Sequence, residues 1–383
     1  MNRPFVFISL LGVPLLVACA ANPSRADLRQ ATVESRPLAP TTGAPTNAVI
    51  KPAVATATIP PVNAAIAPMP AKLPGETHPG QFAFARELAQ KLGTARPDRS
   101  EAAINAILAG ATYQQSIIDA ITRPAEGKPW SAYRPIFIND ARIDGGVAFM
   151  RENRALLDEV SSRYGVPSEI IVAIIGVETS YGRITGNYRV LDALTTLAFH
   201  YPKRAPFFRG ELVQLLSLPE RTFPQPIEAL QGSYAGAMGW GQFMPTSFAN
   251  WAVDHDADGD IDLWASKPDI FASIAKYFID HGWQSNAPVV HRARADAGAT
   301  AYVAPGLDPS LDVARLRELG YRAEIALDDK LPASLITLEG SDGPEYWMTH
   351  QNFFVISRYN RSPMYSLAVY QLAERIKAGA GGE

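Results

Sequence analysis

The chain has 383 residues, of which 47% are hydrophobic and 19% charged, and its formal net charge is −3. That length supports one large domain or two to three smaller ones with real cores, and without a strong basic excess no nucleic-acid partner is expected. The single cysteine, Cys19, rules out a disulfide within the chain; past the N-terminus no run of eighteen or more apolar residues offers an internal membrane span.

At the N-terminus, Arg3 precedes an apolar run from Phe5 to Ala18. The run has the length of a signal h-region and is too short to cross a bilayer. It closes with Leu16-Val17-Ala18-Cys19. Small residues before a cysteine resemble a bacterial lipobox, so residues 1–18 are expected to be a lipoprotein signal peptide, with Cys19 carrying the acyl chains of a membrane anchor. The competing reading is an ordinary secretory signal with an incidental cysteine. Ala20 follows Cys19, where an Asp would signal retention at the inner membrane. The expected place is therefore the periplasmic face of the outer membrane. Residues 19–77 are dominated by Ala, Pro, Thr and Val with no lasting period. They read as a disordered or partly polyproline tether, whose extended limit at about 3.1 Å per residue is on the order of 180 Å.

From about Gly80 the pattern changes. Helical spacing of apolar residues predicts helices over Phe82–Leu92, Arg99–Ala109, Phe137–Tyr164, Tyr188–Ala198, Pro206–Leu216, Ile270–His281 and Tyr365–Lys377. Residues 286–350 differ: short β-prone pieces at Val289–His291, Arg322–Ile325 and Leu335–Leu338 are broken by Gly, Pro and Asp, and Phe353–Ile356 reads as a further piece. The expected fold class is α+β, mainly α, with a small sheet-containing insert between helical parts. The folded domain is placed at 78–378, leaving 379–383 as a tail.

One further helix opens at Pro167-Ser168-Glu169 and continues through Ile170-Ile171-Val172-Ala173-Ile174-Ile175-Gly176-Val177. It is apolar on every side, so it should be buried. Glu178 stands at its end, followed by Thr179-Ser180-Tyr181-Gly182-Arg183. Desolvation and a helix C-terminus both disfavour the negative charge of a carboxylate there. A Glu held protonated near neutral pH suits general-acid chemistry at a glycosidic oxygen. The bland alternative is a side chain that turns outward or pairs with Arg183. A second segment, Gly232 to Pro245, is rich in Gly and aromatics. Glycines admit close approach of a ligand, aromatic faces suit sugars, and Ser233 and Gln242 can hydrogen-bond hydroxyls and amides. Alone it could be a tightly packed turn region. Then comes Asp254-His255-Asp256-Ala257-Asp258-Gly259-Asp260, with acids at positions 1, 3 and 5 of an EF-hand-type loop and Gly at 6. Position 12 is Ala265, which cannot supply the usual bidentate ligand. The choice lies between a structural Ca2+ site and a plain Asp-rich turn. No zinc-type His spacing and no Ser-His-Asp pattern are evident.

Together the segments resemble the lytic murein transglycosylase B family, with its goose-lysozyme-like catalytic core. The resemblance is carried by Gly-Val-Glu-Thr-x-aromatic-Gly-Arg at 176–183 and Gly-Ser-aromatic-Ala-Gly-Ala-Met-Gly-aromatic-Gly-Gln-Phe-Met-Pro at 232–245. Asn360-x-Ser362-x-x-Tyr365 and Trp130-x-x-Tyr133-Arg134 add to it. It covers nearly all of the chain after about residue 80. It implies a lysozyme-like core with a helical and a small β subdomain. By resemblance Glu178 is the acid/base catalyst, Ser233, Gln242 and Met244 line the sugar subsites, and Tyr133, Asn360 and Tyr365 surround Glu178. Lys203 and Arg204 fall where the family has two basic residues proposed to meet a stem peptide; Lys203 lacks the bidentate fork of an Arg. The family closes its metal loop with a later Asp, which makes Asp269 the expected partner of Asp254, Asp256, Asp258 and Asp260.

The implied reaction cleaves the N-acetylmuramic acid–N-acetylglucosamine bond of peptidoglycan without water. Since the resemblance supplies one carboxylate, Glu178, a substrate-assisted route is expected. It leaves 1,6-anhydromuramyl ends, in cell-wall turnover, and requires no cofactor for the chemistry. The implied partners are glycan strands and, through the anchor, a membrane; proteins of the wall-synthesis machinery are not specified. The alternatives are a water-using muramidase, which needs a second carboxylate, and a peptidoglycan-binding lipoprotein without catalysis.

Overall fold

The computed structural model describes residues 70–123 and 128–381. The expected signal peptide, the Cys19 anchor, the tether as far as residue 69 and the last two residues of the tail lie outside the described residues.

The described part begins ahead of the expected boundary at residue 78. Glu76 is only 5% exposed, and its carboxylate accepts the backbone N–H groups of Leu73, Gly80 and Phe82. His78 is also buried, with a ring nitrogen 3.2 Å from Ala111 O. A carboxylate that satisfies the free N–H groups at a helix start holds the chain ahead of it in place, so the folded part includes the last residues assigned to the tether.

The helices α1 (Gln81–Leu92), α2 (Glu101–Ala109), α3 (Gln115–Thr122), α4 (Trp130–Phe137), α5 (Asp140–Glu152) and α6 (Arg154–Tyr164) follow. The expected helix over 137–164 is thus two helices, α5 and α6, with Phe137 closing α4 ahead of them. Asn153 ends α5, because its side-chain amide turns back to Phe149 O at 2.7 Å, and a short polar side chain that bonds nearby backbone competes with helix continuation. Next come α7 (Ser168–Thr179), β1 (Tyr188–Arg189), α8 (Val190–His200), α9 (Ala205–Ser217), β2 (Gln231–Gly232), α10 (Pro245–Trp251) and α11 (Lys267–Asp280). The insert holds β3 (Val290–Ala295), β4 (Leu311–Asp312), α12 (Val313–Glu318), β5 (Tyr321–Ala323), β6 (Pro332–Gly340) and β7 (Gly343–Thr349). The chain then runs through α13 (Gln351–Tyr359) and α14 (Pro363–Ala380). The α+β class and the position of the insert agree with the sequence. Phe353–Ile356 does not: it lies in α13, with Phe353, Val355 and Ile356 all fully buried. A four-residue apolar run carries no period that separates strand from buried helix.

The insert forms a five-stranded antiparallel sheet of order β4-β6-β7-β3-β5. One face puts Val290, Ile336 and Leu338 into the main core. The other, through Ala293, Tyr321, Leu335 and Met348, closes a small second core with Val313 and Leu316 of α12. In the main core α7 is the central element, packed on α5 and α14, and every residue from Ser168 to Gly176 is buried. Among the described residues no single helix is long and apolar enough to cross a membrane.

Candidate active site

Helix α7 delivers the acid. Pro167 serves as its N-cap residue, and Glu169 in its first turn pairs with Lys377 Nζ at 2.8 Å. Its far end stops because Ser180, Tyr181 and Gly182 all take left-handed conformations, with φ of 52°, 64° and 79°. Two non-glycine residues in that region carry strain that the surroundings must hold. They do: Tyr181 N–H donates to Ile175 O, and the Tyr181 hydroxyl donates to Arg142 O at 2.7 Å. The Arg142 guanidinium returns to Gly176 O, a cation placed on the negative end of the helix. Gly176 is required here, because a Cβ would sit 2.8 Å from the Tyr181 ring.

Glu178 therefore lies in the last turn of α7, not beyond it, and its carboxylate faces inward. The Tyr365 hydroxyl donates to Oε1 at 2.5 Å. Oε2 is buried with no partner among the described residues. Burial pushes the Glu178 pKa up to about 7, and the Tyr365 hydrogen bond only partly opposes it. Burial, with the Glu178 charge nearby, raises the pKa values of Tyr133 and Tyr365 as well. Arg183 instead donates to Ser180 O at 3.0 Å, so the outward, Arg-paired alternative does not hold.

Asn360 and Ser362 explain how Tyr365 arrives there. Asn360 Oδ1 accepts the Ser362 N–H at 3.1 Å, and Ser362 Oγ accepts the Tyr365 N–H at 3.3 Å as the N-cap of α14. The motif Asn-x-Ser-x-x-Tyr is thus a helix start that aims its tyrosine at Glu178. Asn360 itself is only 6% exposed.

The Gly-rich strip is stitched to the turn after Glu178. The Thr179 hydroxyl donates to Trp240 O at 3.0 Å and accepts the Gly182 N–H at 3.1 Å. Gln242 adopts φ 52°, and its Nε2 donates to Thr185 O and Gly239 O; that fixes the amide and leaves its oxygen as an acceptor. Ser233 Oγ accepts the Ala237 N–H, closing the first bend, and the Tyr359 hydroxyl donates to Gly241 O at 2.6 Å from behind. Met244 is 1% exposed and belongs to the main core, so it supports the strip from beneath instead of presenting an open sugar-facing surface. Arg204 stacks over Phe207 and Phe208, at 4.5 and 5.2 Å to the ring centroids, and stands near Tyr201, Tyr234 and Glu211. Lys203 is exposed. Arg142, Thr179 and Tyr359 were not singled out from the sequence. Thr179 alone had a local signal, its place beside Glu178; the other two act through contacts from distant segments.

In the Asp loop, carboxylate oxygens of Asp254, Asp256 and Asp269 all lie within 4.8 Å of one another. Asp258 and Asp260 are not in that trio. Asp269, 1% exposed, sits in the first turn of α11 and accepts the N–H groups of His255 and Asp262. Burial and then the surrounding Asp258, Asp262, Asp254 and Asp256 raise the Asp260 pKa. Crowded acids offering only hard oxygen donors fit Ca2+ or Mg2+.

Comparison with known proteins bears on this geometry. The family model described as Transglycosylase SLT domain matches residues 83–374. Over 247 residues the chain is 40% identical to the membrane-bound lytic murein transglycosylase B of Escherichia coli (strain K12), covering 64% of this chain and 67% of that protein. The catenated lytic transglycosylase SltB1 from Pseudomonas aeruginosa superposes with a TM-score of 0.74 at 46% identity, over 79% of this chain and 98% of that one. The Escherichia coli lytic transglycosylase Slt35 in complex with calcium gives a TM-score of 0.70 at 34% identity, over 82% and 96% of the two chains.

Proposed function

The chain belongs to the transglycosylase SLT family and is a lytic transglycosylase, and from that premise we propose that it cleaves the glycan strands of peptidoglycan with Glu178 as the sole acid and base. The observation that carries this reading is the buried, unpartnered Oε2 of Glu178, on a carboxyl whose pKa is pushed up to about 7.

A carboxyl of that pKa is substantially protonated near neutral pH and becomes a competent base once its proton has left. Tyr365 occupies Oε1, so the acidic proton belongs on Oε2. Glu178 protonates the oxygen between N-acetylmuramic acid and N-acetylglucosamine as the C1–O bond breaks. The muramyl 2-acetamido oxygen stabilises C1. The Glu178 carboxylate then takes the proton of the muramyl C6 hydroxyl, whose oxygen closes on C1 to give a 1,6-anhydromuramyl end. No water is consumed. In this route the Glu178 carboxyl acts alone, its proton affinity set by burial against the Tyr365 hydrogen bond. Ser233, Gln242 and Asn360 line the strand-binding surface in this reading, Tyr133 and Tyr365 flank the acid, and Lys203 and Arg204 meet the stem peptide. Mass analysis of digested sacculi tests it: anhydromuramyl ends are expected, and reducing muramyl ends in their place would overturn it.

Two further parts of the reading concern the setting of the domain. Asp254, Asp256 and Asp269 would hold a structural Ca2+ that pins the loop after the strip; the fitting donor set and the calcium-bound Slt35 relative support it. Cys19 would carry a lipid anchor at the outer membrane, supported by Leu16-Val17-Ala18-Cys19 and by a relative that is membrane-bound. Radiolabelled palmitate should enter the wild-type chain and not Cys19→Ala.

A further inference from the structure

Helix α10 begins where the Gly-rich strip ends, and its start has an anomaly. Its N-cap residue is Met244, which has no side-chain acceptor for the free N–H groups of the first turn. Pro245 removes one of those donors. The next, Thr246 N–H, is met by Glu211 Oε2 at 2.8 Å, from the middle of α9. Glu211 is 3% exposed, and a carboxylate taken so far from water is costly unless its partners repay it. Arg204, the N-cap residue of α9, lies near enough for its charge to favour ionised Glu211, and Tyr234 of the strip is within similar reach of Arg204.

We propose that Glu211 is a positioning residue for the binding surface: one buried carboxylate caps α10 in place of Met244 and so holds the exit of the strip. This rests on the reading of the strip and Arg204 as substrate-binding parts. Burial raises the Glu211 pKa, while the Thr246 N–H and the charge of Arg204 favour its charged form. Glutamine at 211 keeps one oxygen for the Thr246 N–H but loses the charge. Alanine loses both functions. Neither change touches Glu178.

The test is steady-state turnover of soluble, peptide-bearing glycan oligomers by the full chain, with melting temperatures measured alongside. For Glu211→Gln the expected result is a rise in KM of about 5- to 10-fold with kcat within about twofold of wild type, because lost uniform binding moves KM and leaves kcat. Its alkaline kcat limb, which belongs to Glu178, stays in place. Glu211→Ala should raise KM further. Should the alanine variant not fold, Glu211→Gln, which keeps an oxygen for the Thr246 N–H, decides the matter through its KM. An unchanged KM in Glu211→Gln, or a fall in kcat at constant KM, would overturn the proposal. An inactive wild type would instead strike at the function proposed above, so the two failures are separable.

Discussion

Tyr365 and Glu178 stand 187 positions apart in the chain and meet in a hydrogen bond of 2.5 Å, the phenol donating to Oε1. The bond leaves Oε2 as the one place for a transferable proton, and it opposes the effect of burial on the Glu178 pKa. Acid strength at this site is the balance of those two terms.

Removing the phenol hydroxyl tests that balance. The bond favours ionised Glu178, so Tyr365→Phe should move the pKa above its present value of about 7. In the proposed mechanism protonated Glu178 is the active acid, so activity is expected to fall as pH rises through that value. The alkaline limb of kcat is therefore expected to shift to higher pH, with a maximal rate lower by about tenfold or more from the disturbed geometry. A pH–rate profile of both proteins checks it; a limb that stays or moves down contradicts it.

Glu178→Gln separates catalysis from stability. Loss of the acid and base should lower turnover by about 10²–10⁴-fold, while sedimentation with sacculi shows binding retained. The folded pKa lies above the usual value of 4.5, so the folded chain holds the proton more tightly than the unfolded chain. Stability is full at low pH and is lost as pH rises from about 4.5 to about 7. Glutamine cannot ionise, so the variant should gain stability at pH 8, by up to the order of 3 kcal/mol, and little at pH 4. Thermal melts at both pH values measure the difference.

The turn after Glu178 leaves no room for a side chain at Gly182. Its φ is 79°, and a Cβ would sit 2.4 Å from the Trp240 indole. Gly182→Ala must strain the backbone and displace Trp240, at a cost of about 1–3 kcal/mol. Trp240 O is the acceptor of the Thr179 hydroxyl, so turnover should drop along with the melting temperature. A variant with wild-type turnover would show that the strip tolerates movement at Trp240.

For the Asp loop, millimolar Ca2+ should raise the melting temperature and a chelator reverse it. At a concentration about 100 times Kd, a site present only in the folded state adds about 2.7 kcal/mol. Asp256→Asn is the informative variant, because Asp269 also holds two backbone N–H groups and its loss would unsettle the loop without metal. Calorimetric titration of Asp256→Asn should show greatly weakened binding; undiminished heat would move the ligands elsewhere.

Much of this is legible in the sequence. The all-apolar run from Ile170 to Val177 demanded burial, Glu178 at its end demanded an unusual environment, and the order of the Glu178, Gly-rich and Asn360–Tyr365 segments pointed to one family. These are local properties: side-chain chemistry at fixed spacing dictates which face is buried and where a turn must form. The tertiary structure decided the rest. It broke the 137–164 helix at Asn153, turned Phe353–Ile356 into part of α13, set Met244 in the main core, placed carboxylate oxygens of Asp254, Asp256 and Asp269 within 4.8 Å of one another, and brought Glu211 to the start of α10. None of these follows from spacing, because each depends on which distant atoms share a volume closed to water. The same exclusion of water sets a carboxyl's pKa, so the acid could be named from its neighbours in the chain but its strength only from its neighbours in space.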